Sequence, residues 1–155
     1  MTIAFEDLKV LQMSEKLCDG VWEEVKQWDS FARDTIGNQF VRAVDSIGAN
    51  IAEAYGRFHF GEKLQFFYYA RGSLFESKYW LNRSRARGLY PVSQTESLEK
   101  EFSDLARSLN NLINSTRRQC NNGRSNKTLR ESPTPYQTNP DDPIFTTDPN
   151  TLPNY

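Results

Sequence analysis

The chain has 155 residues, enough for one domain with a sizeable core, and its 19 basic and 20 acidic side chains nearly cancel, so no global field draws nucleic acid or membrane. The two cysteines, Cys18 and Cys120, lack the spacing of a metal site and are too few for a disulfide framework. MTIAFEDLKV lacks the basic-then-apolar order of a leader, and no window approaches the roughly 18 apolar residues of a membrane span, so the expectation is a soluble cytoplasmic chain with no membrane role.

The first element runs from about Phe5 to Trp28. Val10, Met13, Leu17, Val21, Val25 and Trp28 recur there at spacings of three and four, the period of one helix face. DSFARDTIG then breaks the pattern and reads as a loop ended by Gly37. A second helix is predicted from about Asn38 to Phe58. A third spans about Glu62 to Arg87 and stops at Gly88, with Pro91 just beyond. The fourth begins near Ser93, whose hydroxyl is placed to cap it with Glu96 at the third position, and continues through Leu98, Phe102, Leu105, Leu109 and Leu112. No β-alternation competes. The economical fold is all-α, an antiparallel up-down-up-down four-helix bundle over residues 1–120.

Composition shifts near residue 120. Six of the seven prolines lie in the last 23 residues, among Asn, Asp, Thr and Ser, a mix that buries too little apolar surface to offset the entropy of ordering it. Residues 121–155 are therefore expected to form a disordered or extended tail. Tyr136, Phe145 and Tyr155 are its candidate anchors for a partner.

The second helix contains SIGANIAEAYGR, with a glycine and several polar residues inside a helical pattern. At about 100° per residue, Phe40, Val44, Ile47, Gly48, Ile51, Tyr55 and Phe58 share one face. Arg42, Ser46, Asn50, Glu53 and Arg57 share the opposite one. Glu53 precedes Arg57 by four residues, the favourable order for an intrahelical ion pair, and Gly48 offers a neighbouring helix a close approach. Pattern alone makes the polar stripe a solvated surface. The third helix, FFYYARGSLFESKYWL, differs. Phe67, Ala70, Leu74 and Leu81 form a core face, yet Phe66, Tyr68, Tyr69, Phe75, Tyr79 and Trp80 spread around most of the remaining circumference. A helix apolar on so many sides calls for burial on more than one, and self-association is the expectation.

QFVRAVDSIGANIAEAYGR followed by LQFFYYARGSLFESKYWL resembles the four-helix bundle proteins encoded in intervening sequences of bacterial 23S ribosomal RNA genes. That family includes the accessory variability determinant of diversity-generating retroelements. The matching positions are Arg42, Ala43, Ser46, Ile47, Asn50, Ile51, Ala52, Glu53, Gly56 and Arg57, then Phe67, Ala70, Gly72, Ser73, Leu74 and Glu76. The resemblance covers about Phe5 to Ile113. It implies a ring-shaped homo-oligomer, commonly a homopentamer, and, for the retroelement members, work beside a reverse transcriptase and its template RNA. It further implies a subunit interface that includes Arg42, Ser46, Asn50, Glu53 and Arg57 with Tyr69 and Trp80.

A basic surface suited to RNA is missing on average, because residues 1–120 hold 16 basic and 16 acidic side chains. The candidate nucleic-acid contacts are Arg83, Arg85 and Arg87 at the end of the third helix and Arg117 and Arg118 following the fourth, at opposite ends of an antiparallel pair. Catalysis finds little to build on: His59 is the single histidine and sits in a connection, and Glu-x-x-His pairs and phosphate loops are absent. No enzyme activity, metal or cofactor is expected. Two functions stay open. One is an RNA-linked accessory scaffold; the other is a protein-binding homo-oligomer, or an intervening-sequence product, without a nucleic-acid role.

Overall fold

The computed structural model describes residues 7–128. Helix α1, Lys9–Val25, buries Val10, Leu17, Val21 and Val25 of the expected stripe together with Leu11 and Ser14, whereas Met13 is half-buried and Trp28 is buried beyond the helix end. The chain turns at Lys26–Trp28, and the Asp29 carboxylate accepts a hydrogen bond from the Ala32 amide at 3.0 Å, capping the next helical turn.

The segment DSFARDTIG is helical, which corrects the loop expected there. Ser30–Ala32 forms a short helical turn and Arg33–Gly37 a wide π-turn. The latter runs directly into α2, Asn38–Gly56, with the Asn38 N–H bonded to the Arg33 carbonyl five residues back. The wider turn holds Ile36 and Gly37 inward ahead of Phe40. Gly37 serves close packing rather than loop ending, since a Cβ there would stand 2.6 Å from Val25 Cγ1.

On α2, Phe40, Val44, Ile47 and Ile51 are fully buried, joined by Ala43 and Ala54. Tyr55 and Phe58, expected on this face, are exposed. Tyr55 lies at its edge, and Phe58 follows Arg57, whose extended backbone ends the helix. Gly48 faces α1, its Cβ position 3.1 Å from Ser14 Oγ, and the Cys18 thiol donates to the Val44 carbonyl at 3.4 Å, so the two helices run antiparallel.

Helix α3, Phe60–Ala86, buries Phe67, Ala70, Leu74, Ser77, Leu81 and Ser84. The serine hydroxyls donate to carbonyls one turn back, Ser77 to Ser73 at 2.7 Å and Ser84 to Trp80 at 2.9 Å, which satisfies them inside the core. The helix stops as the sequence indicates. Gly88 takes φ 68°, and the amides of Gly88 and Leu89 bond to the carbonyls of Arg85 and Ser84.

Helix α4, Val92–Thr128, starts one residue before the expected Ser93 cap: the Pro91 carbonyl already accepts from the Gln94 and Thr95 amides, so Ser93 lies inside the first turn. Phe102, Leu105, Leu109 and Ile113 enter the common core. Arg85–Glu99 at 3.2 Å and Arg117 to the Tyr68 hydroxyl at 2.7 Å set α4 antiparallel to α3, and Lys16–Glu101 at 3.1 Å ties it to α1. The described residues thus form the antiparallel four-helix bundle. α4 continues to Thr128, past the composition shift at residue 120, and the rest of the expected tail lies outside the described residues.

Candidate functional site

The polar stripe of α2 is largely satisfied by its own helix. Ser46 Oγ donates to the Arg42 carbonyl and Asn50 Nδ2 to the Ser46 carbonyl, each at 2.7 Å. Glu53 and Arg57 form the intrahelical ion pair that their spacing favours. Such an exposed pair stabilises by about 0.3–0.5 kcal/mol, against about 1.5–3 kcal/mol for one fully buried Ile or Phe on the opposite face. The stripe therefore adds little to protomer stability. Ser46, Asn50 and Arg57 are half-buried and Arg42 and Glu53 exposed.

Arg57 links α2 to α3, its guanidinium 4.8 Å from the centroid of the Phe66 ring. Phe66 meets Tyr69 edge-on at 5.6 Å, and Tyr79 meets Trp80 at 5.1 Å. Successive rings of α3 thus lead from this seam around to its outer side. Tyr69, Phe75 and Tyr79 are 51%, 58% and 55% exposed, values that leave broad apolar surface on the protomer. Two arginines lie over this surface, Arg71 5.8 Å from the Phe75 centroid and Arg83 5.8 Å from that of Tyr79.

The arginines read as nucleic-acid contacts fall into two separate groups. Arg83, Arg85 and Arg87 are exposed at the C-terminal end of α3, with Arg85 engaged by Glu99. Arg117 and Arg118 are exposed near Tyr68, close to the other end. The 17 residues from Tyr68 to Arg85 correspond to about 25 Å of helix. The two groups do not make one continuous patch on a protomer.

His59 precedes α3 in an exposed position, edge-on to Phe58 at 5.2 Å. Burial, followed by the carboxylates of Asp45 and Asp19, pushes the Cys18 thiol up to about 12, which keeps it protonated and a poor nucleophile. Among the described residues no group of three or more His, Cys, Asp and Glu side chains is placed to hold a metal ion, and no helix is long and apolar enough to cross a membrane. Sequence reading missed a different feature, the segregation of charge between helices. α1 carries Glu15, Asp19, Glu23 and Glu24 against Lys9 and Lys16, whereas α3 carries Lys63, Arg71, Lys78, Arg83 and Arg85 against Glu62 and Glu76.

Fold and surface define the class: an all-α antiparallel bundle whose unsatisfied apolar surface faces outward. A profile of the 23S rRNA-intervening sequence protein family matches residues 6–111. The chain belongs to that family. Among solved structures it is similar to a protein of unknown function from the S23 ribosomal protein family of Bacteroides thetaiotaomicron, at 21% identity and a TM-score of 0.62. The match covers 68% of this chain and 95% of that one, and it concerns the fold. No curated protein matches the chain.

Proposed function

We propose that the protein is a non-catalytic homo-oligomeric scaffold. The observation that carries this reading is the outer side of α3, where Tyr69, Phe75 and Tyr79 stay more than half exposed on a helix whose other face is already core. Monomers rarely leave so much contiguous apolar surface to water. In the assembly, Arg42, Ser46, Asn50, Glu53 and Arg57 of α2 and Tyr69 and Trp80 of α3 belong to the subunit contact. The resemblance implies a homopentamer. A protonated Cys18 and a lone exposed His59 fit a scaffold better than a catalyst.

One observation favours a role for RNA within this reading. Arg83, Arg85 and Arg87 crowd the last turn of α3 and the residue after it, and a ring repeats any such cluster around its axis, so weak phosphate contacts add through avidity. A template RNA and a reverse transcriptase are the partners in the retroelement form of this proposal. Native mass spectrometry of the untagged protein isolated from its own cells tests it. The expected species is a homo-oligomer with RNA or a polymerase-sized subunit bound. A bare oligomer removes the RNA and polymerase partners, and a bare monomer removes the scaffold itself.

A further inference from the structure

The outer ridge of α3 and the groove between α1 and α2 are complementary in charge. On the ridge, Phe75 and Tyr79 stand out from the surface, each with an arginine over its ring. The groove is an open depression of about 580 Å³. The carboxylate residues Glu15, Asp19 and Asp45 line it together with Leu11, Gly48, Ala49 and Ala52, and no cation is among its lining residues. Burial, and after it the charges of Asp45 and Asp19, push up the Cys18 thiol at its edge. The small lining residues leave room for rings, and the carboxylates attract the guanidinium groups beside them.

α1 packs on α2 and α4, and α3 reaches the same two helices from the other side. Ridge and groove therefore occupy different outer faces of one bundle and cannot fill one another within it. We propose that the α3 ridge of one protomer docks in the α1–α2 groove of a second copy of this chain, with Phe75 and Tyr79 over Gly48, Ala49 and Ala52 and with Arg71 and Arg83 facing Glu15, Asp19 and Asp45. The contact is head-to-tail. Each added copy leaves one groove and one ridge open, so growth continues until the ring closes. This inference rests on the homo-oligomer reading and adds a ridge-and-groove contact to the α2-stripe contact given there.

Charge exchange tests the pairing. One variant combines Glu15→Lys, Asp19→Lys and Asp45→Lys, giving a basic groove and a basic ridge. The other combines Arg71→Glu and Arg83→Glu, giving an acidic groove and an acidic ridge. All five positions are exposed, and thermal unfolding followed by circular dichroism verifies that each variant folds. In sedimentation velocity each variant alone is expected to run as a monomer, and an equimolar mixture to regain a larger assembly that contains both chains. Variants that keep the wild-type mass, or a mixture that stays monomeric, overturn the pairing while the homo-oligomer stands. A monomeric wild-type protein overturns both.

Discussion

Gly37 and Gly20 both interrupt helical sequence, but they face opposite demands. At Gly37 an added methyl group would meet Val25 Cγ1 at 2.6 Å, whereas at Gly20 it would meet nothing within 4 Å. Replacing either by alanine gains up to about 1 kcal/mol of helix propensity. At Gly37 the forced repacking costs about 1–3 kcal/mol, so the clash wins. Gly37→Ala is expected to lower the urea midpoint, and Gly20→Ala to raise it by the equivalent of about 0.5–1 kcal/mol. Shifts of the same sign would contradict the close packing of the π-turn against Val25. Hydrogen bonding at the same scale accounts for the polar residues inside α2: Ser46 and Asn50 return their hydrogen bonds to their own backbone.

Tyr90 connects elements. It follows the Gly88 stop of α3 and meets Trp28 edge-on at 6.1 Å and Phe40 at 6.4 Å, joining the end of α3 to the α1–α2 corner. Burial, then the charge of Glu24, pushes its phenol up from 10.0 to about 12. The folded state therefore holds the proton after the unfolded state has lost it. The associated stability is complete below pH 10 and is lost as the pH rises to about 12. Across that window wild-type protein is expected to lose stability relative to Tyr90→Phe, measured by urea unfolding at each pH. A constant difference would mean that the phenol ionises equally in both states.

Much of this architecture was legible in the sequence because it depends on local periodicity and stop signals. The α1 stripe, the α3 core face and the Gly88 terminus all emerge at the expected places. The junction before α2 does not. A π-turn shifts the hydrophobic phase by one residue, so a helical segment reads as broken, and only the Asp29 cap marks its start. Phe58 misled for the converse reason: its phase was right, but the helix had ended. The aromatic excess of α3 could be read from residues alone. The acidic groove could not, because it joins Glu15 and Asp19 of α1 to Asp45 of α2 through packing that no local pattern encodes.

At the scale of the whole molecule, a near-neutral chain conceals a polar arrangement of charge, with an acidic α1 and a basic, aromatic α3 on separate faces of one core. The core supplies folding stability, so the outer faces are free to specify association. Sedimentation equilibrium of the purified wild-type protein over a broad concentration range tests this most directly. A mass at a whole-number multiple of the 18.0 kDa protomer, five for the implied pentamer, is the predicted result. A single species of 18.0 kDa at every concentration would contradict it.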